Sequence, residues 1–128
     1  MIVVDTSVWV RALRAGASAE AETLRELLDT DEACLAAPVR IELLTGASAL
    51  DRPRLRRSLS ALPVLYPSDE TWRLMDGWVD LAGAAGQRFG FGDLLIGALA
   101  NETGSLVWSL DSDFERMSRL GFVDLYEP

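Results

Sequence analysis

Histidine and lysine are both missing from this chain of 128 residues, and it holds a single cysteine. Each absence removes a class of chemistry. Without histidine there is no imidazole base poised at neutral pH and no imidazole metal ligand. Without lysine there is no Schiff base and no phosphate-gripping Walker-type lysine, since all 12 basic residues are arginine. A lone cysteine forms no internal disulfide, and Cys34 in its apolar setting reads as a small core residue suited to a reducing cytoplasm. Long apolar runs are absent too. None approaches the roughly 18 residues a membrane span needs, and the N-terminus lacks the basic-then-apolar pattern of a signal peptide. The expected location is therefore the cytoplasm, with no membrane partner. Positive charge is also short: the net charge of −8 excludes a general, charge-driven nucleic-acid binder. It leaves room for an enzyme with a local basic patch.

What is present is a chain that is 49% hydrophobic and long enough for one domain, spanning residues 1–128, with one core. Ile2-Val3-Val4 runs straight into Asp5 with no polar alternation, the pattern of a strand covered on both faces. Helical periodicity follows over Ser7 to Leu13 and over Glu20 to Asp29. Ala33 to Ala36 reads as a second buried strand, and Pro38 suits the first turn of a helix that runs to Gly46. Asp51 to Leu62 is a further helix, followed by Pro63-Val64-Leu65-Tyr66-Pro67, whose prolines favour a sheet edge.

Ser68 or Asp69 begins a long helix to about Ala85. Its stripe of Trp72, Met75, Trp78, Val79 and Ala82 is expected in the core. A glycine-rich loop from Gly83 to Gly92 leads into an apolar helix that starts at Asp93. Leu106 to Leu110 is a strand, Asp113 to Arg119 a helix, and Phe122 to Tyr126 a closing strand. Ser112 and Glu115 have the spacing of a capping box. This alternation predicts an α/β fold: a parallel sheet with helices on both faces, joined by right-handed crossovers.

Acidic residues recur where such sheets bind ligands, at the carboxyl ends of strands. Asp5 ends the first strand and Asp111 the fourth. Glu42 lies on the helix after the second strand, and Asp93 opens a helix. Each has an ordinary explanation. Asp5 and Asp93 could be helix N-caps, and Glu42 could pair with Arg40 or Arg11. A carboxylate at the electropositive start of a helix is also expected to stay ionised. If the first and fourth strands are neighbours, Asp5 and Asp111 share one cleft. Acids gathered in a cleft repel unless a cation joins them, and oxygen donors without imidazole or thiolate suit Mg²⁺ or Mn²⁺. Such an ion activates water and clamps a phosphoryl oxygen, so the chemistry implied is metal-dependent phosphodiester hydrolysis. Arg52, Arg54, Arg56 and Arg57 form the densest basic cluster, either a solvated helix face or a contact for RNA or an acidic partner.

Four stretches together resemble the PIN-domain ribonucleases, and most closely the VapC-type toxins of bacterial toxin–antitoxin pairs. They are Val4-Asp5-Thr6-Ser7-Val8-Trp9, Arg40-Ile41-Glu42-Leu43-Leu44-Thr45-Gly46, Gly92-Asp93-Leu94-Leu95-Ile96-Gly97-Ala98 and Ser109-Leu110-Asp111-Ser112-Asp113-Phe114. The resemblance implies a PIN-like three-layer fold whose five parallel strands stand in the order 3-2-1-4-5. It implies that Asp5, Glu42, Asp93 and Asp111 form a catalytic quartet holding Mg²⁺ or Mn²⁺, with Asp113 as an auxiliary acid. Thr6 or Ser7 and Ser109 would orient water or carboxylates. It further implies cleavage of RNA, a homodimer, and silencing by a cognate antitoxin in a heterotetramer or larger assembly. Phe89-Gly90-Phe91-Gly92, Trp108 and Leu110 depart from the family's usual residues at the rim of the site. A phosphatase of the haloacid-dehalogenase type would need a second aspartate where Ser7 stands, and a response-regulator receiver would need a lysine. The remaining alternative is a catalytically silent PIN scaffold that binds RNA or a partner.

Overall fold

The computed structural model describes residues 1–128. Its sheet is parallel throughout and has five strands in the order β3-β2-β1-β4-β5. The elements in chain order are β1 (Ile2–Val4), α1 (Thr6–Arg14), α2 (Ala19–Asp29), β2 (Ala33–Ala36), α3 (Ala37–Gly46) and α4 (Arg52–Leu59). Then come β3 (Val64–Leu65), α5 (Asp69–Ala84), α6 (Phe91–Glu102), β4 (Leu106–Trp108), α7 (Ser112–Arg119) and β5 (Asp124–Leu125). Every residue of β1 and β2 is buried, as strands covered on both faces must be. β3, bracketed by Pro63 and Pro67, takes an edge of the sheet. β1 is central, with Ile2 beside Ala33 on one flank and Leu106 on the other. That register puts Val4 beside Trp108, so Asp5 and the chain just past β4 emerge together at the carboxyl edge.

Several boundaries differ from the sequence reading, each for a local reason. β4 stops at Trp108 because Ser109 and Leu110 turn their backbone into the cleft, where the Leu110 N–H donates to Ser7 Oγ. The closing strand shortens to Asp124–Leu125 because α7 ends in a Schellman turn. Gly121 there has φ +79°, and the Phe122 and Gly121 N–H groups donate to the carbonyls of Met117 and Ser118. The expected helix to Leu62 stops at Leu59, since Leu62 precedes a proline and is steered out of helical geometry.

The loop before the sixth helix is shorter than the glycines imply. α5 continues to Ala84, and α6 begins at Phe91 with Gly90 as its N-cap. α5 starts at a reciprocal cap in which the Ser68 N–H donates to Thr71 Oγ1 at 2.9 Å. The α5 stripe divides. Met75, Trp78 and Ala82 are buried, whereas Trp72 and Val79 are 44% and 57% exposed. Trp72 stacks its ring on Phe91 at 6.0 Å, forming an aromatic step on the surface rather than core. At the other end of the core, Trp78 stacks on Phe122 at 4.4 Å. Gly97 lets α6 settle against α7 and the chain's end, because a Cβ there would stand 2.6 Å from Met117 Cε and 3.2 Å from Val123 Cγ1.

Candidate active site

Asp5 is 6% exposed, the only carboxylate among the buried residues. Its position follows from β1, which delivers it to the sheet edge as the N-cap of α1. It makes no side-chain capping bond, so the N-cap explanation places its backbone but does not occupy its carboxylate. Two hydroxyls do: Ser7 Oγ donates to Asp5 Oδ2 at 2.8 Å and Ser109 Oγ donates to the same oxygen at 2.7 Å. Each serine also accepts a backbone amide, Ser7 from Leu110 at 3.0 Å and Ser109 from Asp111 at 2.9 Å. A hydroxyl has one proton. With both protons on Oδ2, the Ser7 and Ser109 oxygens, 3.2 Å apart, are packed neighbours and not a bonded pair. The arrangement stitches the end of β1 to the end of β4 and leaves Asp5 Oδ1 without a partner. Thr6 takes no part in it. Its Oγ1 is buried without a bond of normal geometry, although it lies beside Glu42 and favours that residue's charged form.

Asp111 is the N-cap of α7 and its Oδ1 accepts the Asp113 N–H at 2.9 Å. The capping box expected of Ser112 and Glu115 is thus not the device used, because Ser112 already lies inside the helix. Asp93 does not cap α6 either. It is the third residue of that helix, with Gly90 in the cap position. From there its carboxylate meets two others: Asp93, Asp111 and Asp113 each offer an oxygen, and these lie within 4.8 Å of one another.

The charge state of Asp93 departs from the expectation that the helix start keeps it ionised. Its pKa is pushed up to about 7, first by burial, then by the hydrogen bond with Asp113 and the charges of Asp111, Asp5 and Asp113. Desolvation and like charge outweigh the helix terminus. Asp113 moves the opposite way, held below the usual carboxylate range chiefly by its hydrogen bond from Arg116. Arg116 Nη2 stands 2.6 Å from Asp113 Oδ1.

Glu42 lies across the cleft from α7. Its Oε1 would be 3.9 Å from a Cβ added to Gly92, the residue before Asp93. It has no ion-pair partner, and Arg11, one of the two arginines expected to neutralise it, faces Glu20 at 3.8 Å instead. Burial raises the Glu42 pKa, with the charge of Asp5 adding to it. The fold therefore brings Asp93, Asp111 and Asp113 into one tight group. Asp5 is close enough to bear on Asp93, and Glu42 is close enough to feel Asp5. The sequence reading passed over Arg116 and Gln87, and marked Phe89 only as a residue at the rim of the site. The spacing of Asp113 and Arg116, three apart on a helix, was a visible signal for the first.

In the basic cluster, Arg54, Arg56 and Arg57 are exposed. Arg52 is used internally: Nε donates to the Leu44 carbonyl and Nη2 to the Ala47 carbonyl, both at 3.0 Å, closing the end of α3. Beside this helix lies a groove of about 680 Å³ lined by Trp9, Leu13, Glu42, Arg54 and Leu55 among others. Trp9 Nε1 is buried there without a hydrogen-bond acceptor.

Residues 2–120 match the PIN domain family. The chain is 35% identical over 127 residues to ribonuclease VapC11 of Mycobacterium tuberculosis, covering 94% of this chain and 93% of that protein. Among solved structures it resembles VapBC2 from Rickettsia felis, bound to a DNA fragment from its promoter, with a TM-score of 0.81. That match has 19% identity and covers 98% of each chain. It also resembles VapBC-5 of Mycobacterium tuberculosis, a member of the VapBC family of toxin–antitoxin systems. There the TM-score is 0.68 and the identity 21%, over 98% of this chain and 97% of that one. The fold, the order of its strands and the kinship with VapC ribonucleases agree, and this chain belongs to the PIN-domain family, in its VapC branch.

Proposed function

We propose that this protein is a divalent-metal-dependent endoribonuclease and the toxin of a toxin–antitoxin pair. One observation carries the chemistry: Asp93, Asp111 and Asp113 each offer a carboxylate oxygen, and these lie within 4.8 Å of one another. A donor set of carboxylate oxygens, with no imidazole or thiolate beside it, fits a hard divalent cation. Mg²⁺ is the assigned ion, with Mn²⁺ as its substitute. Asp5, Glu42, Asp93 and Asp111 are the acids assigned to holding it, and Asp113 supports them from α7. When bound, such an ion supplies a Lewis acid that acidifies water and neutralises a phosphoryl oxygen.

The chain's own residues do the rest. Ser7 and Ser109 fix Asp5 with Oδ1 turned free. Glu42, without an ion-pair partner and with its pKa raised by burial, is the carboxylate assigned to help the ion take a proton from water. Arg54, Arg56 and Arg57 are assigned to contacts with RNA phosphates or with the partner. The kinship with proteins named ribonucleases supports RNA as substrate, and the kinship with VapBC complexes supports an antitoxin partner. The groove beside Glu42, largely apolar, suits a segment of that antitoxin. The exposed step of Trp72 and Phe91 suits a second copy of the chain, giving a homodimer. No helix is long and apolar enough to cross a membrane.

The test is cleavage of total RNA by the purified protein. Cutting is expected with Mg²⁺ or Mn²⁺, to stop on adding EDTA, and to be lost in Asp5→Asn. Cutting that survives both chelation and that substitution would remove the metal reading and the role of Asp5, leaving RNA cleavage to be explained without a cation.

A further inference from the structure

We propose that Arg116 is a positioning residue of the acidic centre, tying the chain segment ahead of α6 to Asp113 and so fixing where Asp93 stands. The inference rests on the divalent-cation reading above. Its geometry has three parts. The guanidinium donates through Nη2 to Asp113 Oδ1 at 2.6 Å, donates through Nη1 to Gln87 Oε1, and lies with its Cζ 4.6 Å from the centre of the Phe89 ring. One plane thus meets a carboxylate, an amide and an aromatic face at once. Arginine alone among side chains offers that combination, since an ammonium has neither the fork nor the flat face.

The contacts are anchored on both sides. Phe89 meets Phe122 edge-on at 6.3 Å, and Phe122 stacks on Trp78 in the core. Gly90, next after Phe89, is the N-cap of α6, whose carbonyl accepts the Leu94 N–H at 3.0 Å. Asp93 therefore sits one helical turn past the clamp, and its carboxyl also meets Asp113, the residue Arg116 holds. Asp93 is tied twice to the same guanidinium: once through the backbone and once through the carboxyl of Asp113.

No other arginine performs this service. Arg11, Arg73 and Arg119 pair with Glu20, Glu70 and Glu115 on the surface, away from the cleft acids. The single positive charge behind Asp113 also offsets part of the repulsion among three carboxylates that lie within 4.8 Å of each other. Arg116 is not a catalytic residue in this account. It sets the gap between Asp93 and Asp111 that a cation has to fit.

The experiment compares wild type, Arg116→Ala, Arg116→Lys and Phe89→Leu as full-length proteins. Two readouts are taken across a Mn²⁺ titration: the metal-induced rise in melting temperature and the rate of RNA cleavage. Residues that hold a ligand in place are typically worth 10- to 100-fold in metal affinity, so Arg116→Ala should need about tenfold more Mn²⁺ for half-maximal effect in both. Its rate at saturating Mn²⁺ should return to within about threefold of wild type, because no reacting group is lost. Arg116→Lys should keep the charge without restoring the Mn²⁺ requirement. If Arg116→Ala fails to fold, Phe89→Leu removes only the stacking face and should shift the requirement in the same direction, by a smaller factor.

A merely structural role would lower the metal-free melting temperature and leave the Mn²⁺ requirement unchanged. That result, in Arg116→Ala or in Phe89→Leu, overturns the inference alone. A wild-type protein whose melting temperature ignores Mn²⁺ overturns the cation reading and this inference with it.

Discussion

On the β1 side of the cleft a buried carboxylate is held by two neutral hydroxyls; on the α6 side a carboxylate is held against two others, with a guanidinium behind them. The two sides carry the same kind of group within reach of each other, yet they behave differently. Asp5, the more buried, receives two protons on one oxygen from donors that bring no charge. Asp93 is driven up to about 7, first by its burial and then by the acids it meets, Asp113, Asp111 and Asp5. For Asp93, burial and like-charged neighbours push in the same direction. The hydroxyl side is already arranged without a cation, while the carboxylate side is left in tension that a cation would relieve.

The largest effect should come from breaking the ordered side. Asp5→Asn preserves size and still accepts the two serine hydroxyls but removes the charge. A loss of about 10²- to 10³-fold in RNA cleavage is expected, the usual scale for removing one preorganised electrostatic group. The melting temperature should barely move.

Ser109→Ala is next. It deletes one proton on Asp5 Oδ2 and the acceptor of the Asp111 N–H. Stability should fall by about 1 kcal/mol, the common net worth of a hydrogen bond, and cleavage should drop by a factor between those of Asp5→Asn and wild type. Thr6→Val sharpens the contrast. It removes a buried hydroxyl that makes no hydrogen bond of normal geometry and only lies beside Glu42, so stability should hold within about 1 kcal/mol in thermal unfolding without metal.

The carboxylate side is tested by pH. Asp93 has a folded-state pKa near 7, raised above the ordinary 3.8, so the folded chain holds a proton more firmly than the unfolded chain between those values. Stability of the metal-free protein should therefore fall as pH rises through that window and level off above about 7. In Asp93→Asn that slope should flatten while cleavage is lost on the scale of Asp5→Asn and the melting temperature at pH 8 is kept or raised. With Mn²⁺ present the trend should reverse, because the ion displaces the proton and binds more tightly as pH climbs. A melting temperature that rises with pH in the metal-free wild type would sink this account of Asp93.

The smallest effect is expected outside the cleft. Neutralising Arg54, Arg56 and Arg57 should weaken binding of RNA or antitoxin and flatten its salt dependence, leaving the metal requirement untouched.

Much of the fold was legible because β1, β2 and β4 are short and apolar, and Asp5 and Asp111 follow β1 and β4. Ile2–Val4 and Ala33–Ala36 carry a two-sided burial pattern that only a covered parallel sheet explains. What the pattern could not reveal was the ends of elements. Gly90 rather than Asp93 caps α6, and Asp111 rather than Ser112 caps α7, because local caps compete with side-chain contacts that exist only in the folded cleft. The exposure of Trp72 and Val79 was hidden for a related reason: helical spacing identifies a shared face and says nothing about how wide that face is when packed. Of the site, the acids could be picked out by position after strands and at helix starts. Their sorting into a hydroxyl-held Asp5 and a mutually crowded trio depended on contacts about a hundred residues apart in sequence, such as Ser109 with Asp5. The clamp of Arg116 on Gln87 and Phe89 was equally out of reach, since it joins a helix to a loop.

The pairing of β1 with β4 has a consequence for how this protein comes into being. Val4 leaves the ribosome about a hundred residues ahead of its neighbour Trp108 and of the hydroxyl of Ser109. A growing chain on the ribosome accordingly has no cleft to cut with. The hydroxyl side of the acidic centre is complete only once the segment after β4 has emerged and docked beside β1.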